Sequence, residues 1–273
     1  MSSLSLLSWN MNQRSSNWET VLESAVDVAL LQEAKPPPLL LRDKIDADYE
    51  GIWGESETAW SAVVAGLSSR IDFEPIKTKA VGDNNPEALS VSYPGTLSAA
   101  FVRILEAGEE FIIASLYAKW ERPIQQTQPN WIYADASVHR LISDLSALIA
   151  RQNNHKIIVA GDLNILYGYG EYGIDYWKKR YDTVFDRMSS LGLRFIGPQA
   201  PDGGEQASPW PDELPQDSHN VPTYRTNRGS KERQLDFVFA SESIADRLSV
   251  RAANNIEEWG PSDHCRIFID LKY

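Results

Sequence analysis

Five strand-like apolar runs, spread from one end of the sequence to the other, each adjoin a short cluster of amides, carboxylates or imidazole. The clusters are Ser8-Trp9-Asn10-Met11-Asn12, Leu31-Gln32-Glu33, Gly161-Asp162-Leu163-Asn164, Gln234-Leu235-Asp236-Phe237 and Ser262-Asp263-His264. The runs beside them cover residues 4–7, 26–31, 157–160, 235–239 and 265–271. Burying unpaired polar groups is unfavourable. A fold that gathers these strand ends must therefore bind something between them, and one hard cation meets that need.

Because the clusters reach from Asn10 to His264, one domain that brings both ends together is the simplest organisation for the 273 residues. A hydrophobic fraction of 42% and nine tryptophans suffice for a packed core. No apolar run is long enough to span a bilayer. The N-terminal stretch from Leu4 reads as a strand rather than a secretory leader. The lone Cys265 excludes an internal disulfide and fits a reducing, cytoplasmic location. The net charge of −12 lacks the basic excess of a protein that grips nucleic acid non-specifically. Basic residues are instead local: Arg225, Arg228, Lys231 and Arg233; Lys119 and Arg122 around Trp120; and Lys178-Lys179-Arg180. The last run reads as solvated helix surface. The loop from Arg225 to Arg233 reads either as surface or as a substrate contact, since it leads into the Asp236 cluster.

Strand patterns occupy residues 4–9, 29–32, 62–67, 88–93, 97–105, 110–117, 156–160, 235–240, 248–252 and 265–271. Helical periodicity predicts helices over 134–152 and 174–191, with a third within 17–26. This mixture predicts a layered α/β or α+β sandwich. Residues 198–222, rich in Pro, Asp, Gly and Ser, are expected to form an irregular insertion that is either a substrate-facing flap or a floppy loop.

Glu33, at the end of a buried strand, and Asp263 are candidate Mg²⁺ ligands, with Asn10 assisting, because Mg²⁺ favours a few hard oxygen donors. Gly161 is expected to turn the chain sharply, leaving Asp162 and Asn164 on one side by strand alternation. There Asp162 can accept a proton from water and Asn164 can hold water or phosphate. Asp236 is expected to orient His264, favouring the charged ring that stabilises a phosphoryl oxygen. Tyr117 ends an apolar run and can donate to phosphate. Asn12, Lys119 and Arg225 complete the set as candidate substrate contacts. His139, His155 and His219 are expected to be structural.

With these residues laid out, the chain resembles the endonuclease/exonuclease/phosphatase superfamily. The resemblance rests on the ordered set Trp9-Asn10-Met11-Asn12, Gln32-Glu33, Tyr117, Gly161-Asp162-Leu163-Asn164, Leu235-Asp236-Phe237 and Ser262-Asp263-His264. It implies a four-layer α/β sandwich, two mixed sheets face to face with helices outside and the site at one edge. It also implies Mg²⁺ (or Mn²⁺) at Glu33, Asn10 and Asp263, and in-line attack of water on phosphorus. The stretch Pro222-Thr223-Tyr224-Arg225-Thr226 stands where the inositol-polyphosphate phosphatases carry Pro-Ala-Trp-x-Asp-Arg, and looks more like nuclease members. The leading expectation is a nuclease acting on DNA or RNA. The alternatives are an esterase acting on a small or membrane-bound phosphate and, last, an inactive scaffold.

Overall fold

The computed structural model describes residues 2–56, 59–124, 133–150, 154–226 and 232–273. Its strands begin with β1 (Ser3–Asn10), β2 (Val28–Ala34), β3 (Ser61–Gly66), β4 (Ile71–Ile76) and β5 (Thr78–Ala80). There follow β6 (Leu89–Val91), β7 (Leu97–Ile104), β8 (Glu110–Tyr117), β9 (Ile157–Asp162) and β10 (Leu193–Gly197). The last are β11 (Tyr224–Arg225), β12 (Glu232–Arg233), β13 (Asp236–Ser241), β14 (Leu248–Ala252) and β15 (Ile267–Lys272). The α-helices are α1 (Asn17–Glu23), α2 (Tyr49–Trp53), α3 (Asp135–Leu145) and α4 (Asp175–Ser190).

Two mixed sheets carry the fold, one in the order β14-β15-β1-β2-β3 and one in the order β10-β13-β9-β8-β7-β4. Period-two alternation sorts their side chains into layers. Leu4, Leu6, Val28, Leu30, Phe111, Ile113, Ile158, Ala160, Val238 and Ala240 fill the space between the sheets. The intervening residues face outward. Leu7, Trp9, Ala29 and Leu31 pack with Trp18 and Val21 of α1 and Trp53 of α2. Ile157, Val159, Phe237 and Phe239 pack with α3 and α4 through Val138, Leu141, Trp177 and Val184. The result is four layers, helix, sheet, sheet, helix.

The same alternation sets the polar edge. Continuing the inward positions of β1, β8, β9 and β13 reaches Asn10, Tyr117, Asp162 and Asp236. Tyr117 pairs in register with Asp162, and Asp162 with Asp236. The three therefore stand side by side at one end of the larger sheet. β15 runs antiparallel to β1 from Ile267 opposite Ser8, so the segment before it, Ser262 to His264, returns to that same end.

The structure shortens the helix expected over 134–152. α3 stops at Leu145 and gives way to a single tight turn, Ser146–Leu148. Ser143 and Ser146 turn their hydroxyls onto the carbonyls of His139 and Ser143, which competes with helical hydrogen bonding. Gln152 lies outside the described residues. Strands β4, β5, β10 and the β11–β12 ribbon went unread in the sequence. Pro75 tolerates its place because β4 is the edge of its sheet. The 198–222 segment is irregular but tied down. Gln234 Nε2 donates to Pro198 O, and the Val221 N–H donates to Gln234 Oε1. Asn220 Nδ2 donates to Tyr167 O.

Candidate active site

Asn10 is the hinge between the sheets. Its Nδ2 donates to Asp162 Oδ2 across the gap at 3.0 Å and lies 3.4 Å from Glu33 Oε1. Its Oδ1 accepts the Asn12 N–H. Glu33 reaches this position by a backbone device. Strand alternation alone would turn it outward after the inward Gln32, but the β2–β3 register slips between Leu31 and Ala34, and Glu33 adopts φ +47°. Gln13 Nε2 holds the other carboxylate oxygen at 3.0 Å.

Left-handed backbone clusters here. Among the described residues, seven that are not glycine have positive φ, and Asn12, Gln13, Glu33 and Asn164 are four of them. Each costs on the order of 1–3 kcal/mol, so the surrounding contacts must hold these side chains on target.

Gly161 has a different role from the expected sharp turn. It sits inside β9, and a Cβ there would lie 1.9 Å from Leu116 O. Glycine is required by the close approach of β8. The change of direction falls at Asn164, with φ +51°. Asn164 therefore meets Asp162 through a turn, not through extended alternation. Its N–H donates to Asp162 Oδ1 at 3.0 Å, and its Nδ2 donates to Asp162 Oδ2 at 3.1 Å and to Ala118 O at 3.0 Å.

His264 Nδ1 lies 2.8 Å from Asp236 Oδ2, and its Nε2 lies 3.8 Å from Asp162 Oδ2. Thr223 Oγ1 donates to the same Asp236 oxygen at 2.7 Å while accepting the Leu235 and Asp236 N–H groups. Burial works against a charge on the ring. The carboxylates of Asp236 and Asp162, with the hydrogen bond to Asp236, outweigh it and push the His264 pKa up to about 10. For Asp162, burial raises the pKa to about 7, while the imidazolium pulls against it. Tyr117 is buried, and desolvation, with Glu33, Asp162 and Asp263 around it, pushes its pKa up, so the phenol keeps its proton.

Asp263 is half-buried next to Ser262. The Ser262 hydroxyl donates to Asn10 O at 2.8 Å and lies 3.3 Å from Asp263 Oδ1. Glu33 meets the Asn10 side chain, Asp263 is linked to the Asn10 backbone through Ser262, and both carboxylates act on Tyr117. Arg225 is adjacent: its N–H donates to Asp263 O at 2.9 Å, and its guanidinium lies 4.3 Å over Trp259. Lys119 is two residues beyond Tyr117, with Nζ over the rings of Tyr93 and Trp60.

Two basic groups depart from expectation. Arg233 pairs with Glu171 and Glu213 and is largely buried, so it braces the loop. Arg228 and Lys231 lie outside the described residues. Arg180, read as solvated, makes a two-pronged pair with the buried Asp135. His139, His155 and His219 contact hydroxyl or carbonyl groups of Thr183, Ser241 and Ala200. The sequence reading missed Thr223, Ser262 and Tyr224, whose ring centroid lies 5.0 Å from that of His264. Pro222-Thr223-Tyr224, just before the Asp236 cluster, was the available signal.

The donors divide by chemistry. Glu33, Asp263 and the Asn10 amide offer hard oxygens, as Mg²⁺ or Mn²⁺ prefers. Four carboxylates, Glu33, Asp162, Asp236 and Asp263, share the site with one imidazole, leaving a negative excess that a divalent cation would balance. Asp162, Asp236 and His264 also bring ligand-type atoms within 4.8 Å of one another. That group already carries a cation of its own, with His264 Nδ1 engaged by Asp236.

Among solved structures, the fold is similar to the catalytic domain of APE2 from Xenopus laevis, at 16% identity over 98% of this chain and 91% of that chain, with a TM-score of 0.65. It is similar to the endonuclease domain of TRAS1, a telomere-specific non-LTR retrotransposon, at 16% identity over 98% of both chains and a TM-score of 0.63. A mannosyl-6-phosphatase of Bacteroides thetaiotaomicron is similar at 15% identity, covering 99% of this chain and 100% of that chain, with a TM-score of 0.56. Identities this low speak to the fold. No curated protein matches by sequence. The endonuclease/exonuclease/phosphatase family pattern spans residues 7–264, and the chain belongs to that family of phosphoester-hydrolysing enzymes.

Proposed function

We propose that the protein is a Mg²⁺-dependent phosphodiesterase, a nuclease that cuts DNA or RNA by in-line attack of water, and that the whole chain acts as one domain. The observation that carries this reading is the unbroken path of contacts from Glu33 through Asn10 and Asp162 to His264 and Asp236. Such a path supports acid–base groups working beside a hard-cation set. Glu33 and Asp263, with Asn10, would hold the ion, which supplies charge stabilisation to the phosphoryl group.

Asp162 accepts the proton of the attacking water, for which a pKa near neutrality suits it. Asn164 aligns that water through the amide it shares with Asp162. His264, kept charged by Asp236, donates to a non-bridging phosphate oxygen. Tyr117 supplies a neutral hydroxyl donor from the neighbouring strand end, and Arg225, Asn12 and Lys119 contact flanking phosphates. Likeness to endonuclease structures favours a polymer substrate. The buried free thiol Cys265 suits a cytoplasmic setting, and no described helix is long and apolar enough to cross a membrane.

A second reading, hydrolysis of a small phosphate monoester, draws on the net charge of −12 and the likeness to a mannosyl-6-phosphatase. One assay separates the two. Purified protein with Mg²⁺ is offered double-stranded DNA, single-stranded DNA, RNA and sugar phosphates, beside Asp162→Asn and His264→Ala. Cleavage of a nucleic acid that both variants lose supports the nuclease. Turnover confined to sugar phosphates selects the second reading, and full activity in both variants overturns the site.

A further inference from the structure

Trp60 stands edge-on to Tyr117, with ring centroids 5.2 Å apart and planes at 85°. It directly precedes β3, whose Ser61 pairs with Ala34, the residue after Glu33. A cleft of about 270 Å³ opens beside Trp60, with Pro75, Ile76, Lys79, Pro94 and Gly95 among its walls. Those walls come from the start of β3, the approach to β7 and the end of β4. Register places all three at the end of the sheets that carries Glu33 and Tyr117. The cleft is therefore a sideways extension of the active-site edge. It is slightly below the ~300 Å³ lower bound typical of drug-sized ligand pockets, which suits one flat ring.

A cation stands beside Trp60. Lys119 Nζ lies 3.7 Å from the Tyr93 ring centroid and 5.6 Å from that of Trp60. The Lys119 N–H donates to Ser137 Oγ at 3.0 Å, which pins the backbone to α3. Tyr93 remains 53% exposed, so this cluster is open to solvent and is not a buried core contact. An aromatic surface beside a held ammonium has the two halves of a nucleotide as its complement, a base for the ring and a phosphate for the charge. A sugar phosphate could use the cation but has no base to stack.

We propose that Trp60 stacks the base of the nucleotide next to the scissile phosphate, while Lys119, held by Tyr93, meets a neighbouring backbone phosphate. The preferred substrate is then an unpaired, base-bearing strand. This rests on the nuclease reading and names its substrate class.

The test is equilibrium binding in Ca²⁺ of two single strands of equal length, one carrying thymine bases and one built of base-less spacers. Wild type should favour the base-bearing strand, and Trp60→Ala should cut that preference about tenfold. Trp60→Phe should recover part of it, and melting curves of both variants report whether they are folded. Lys119→Gln should weaken both strands alike and reduce the slope of log affinity against log salt by about 0.7. Equal binding of the two strands by wild type, or an undiminished preference in folded Trp60→Ala, overturns the proposal. Strand cleavage by wild type in Mg²⁺ is read separately. Cleavage without any Trp60 dependence sinks the stacking proposal alone. A Trp60-dependent base preference without cleavage sinks the nuclease reading alone.

Discussion

The two halves of the candidate site solve the problem of buried charge in opposite ways. On the larger sheet, Asp162 and Asp236 are almost wholly buried, and His264 lies between them with its own charge held in place. That half holds its own cation. At the end of the smaller sheet, Glu33 and Asp263 are only partly buried. Among the described residues, Glu33 is met by amide and phenol groups of Asn10, Gln13 and Tyr117 rather than by a cation. That half is left negative. The difference bears on the proposed metal site: the Asp–His–Asp group has a cation of its own, and the open oxygen donors have none among the described residues.

The largest effects should come from the buried half. Asp162→Asn is expected to lower kcat by about 10²–10⁴-fold, the range for a lost general base, while leaving the Mg²⁺ requirement near that of wild type. A shift in Mg²⁺ dependence as large as the loss of rate would blur the division between the halves. His264→Ala should follow with about 10²–10³-fold, as for a lost donor to developing charge, read by single-turnover rates at saturating Mg²⁺.

Glu33→Gln addresses the open half. Removing one of two carboxylates should raise the Mg²⁺ concentration for half-maximal activity about tenfold or more, with part of the rate recovered at high Mg²⁺. If excess Mg²⁺ recovers nothing, Glu33 does something other than hold the ion.

A further effect is on stability and is measured in chelator, where the buried half acts alone. His264 has a folded pKa of about 10 against an ordinary 6.5. A base whose pKa rises on folding adds stability that is complete below the unfolded pKa and disappears as pH climbs through the folded one. The Tm of wild type should therefore fall more steeply between pH 7 and pH 10 than that of His264→Gln. Parallel profiles would mean that the ring is not held charged.

The sequence announced the site better than the reasons for it. Asn10, Asp162 and Asp236 end or begin strands whose alternation is visible in Leu4, Leu6, Ile158, Ala160, Val238 and Ala240, so their shared inward face was readable. Glu33 was named for its residue type, but the register slip that aims it depends on pairing with β3 and leaves no local trace. Gly161 was read as a turn because a glycine's need for space against Leu116 is set by a neighbouring strand. The same limit explains Arg180 and Arg233. Their partners Asp135 and Glu171 lie 45 and 62 residues away, and no local pattern predicts such pairs. Thr223 and Ser262 act through single hydroxyls onto groups brought near by folding.

The most direct measurement is the position of a bound Mn²⁺ ion, found by anomalous scattering from crystals soaked in Mn²⁺. The division of charge predicts a peak among Glu33, Asp263 and Asn10, with the contact between His264 and Asp236 kept. A peak enclosed by Asp162, Asp236 and His264, with that contact broken, would contradict it.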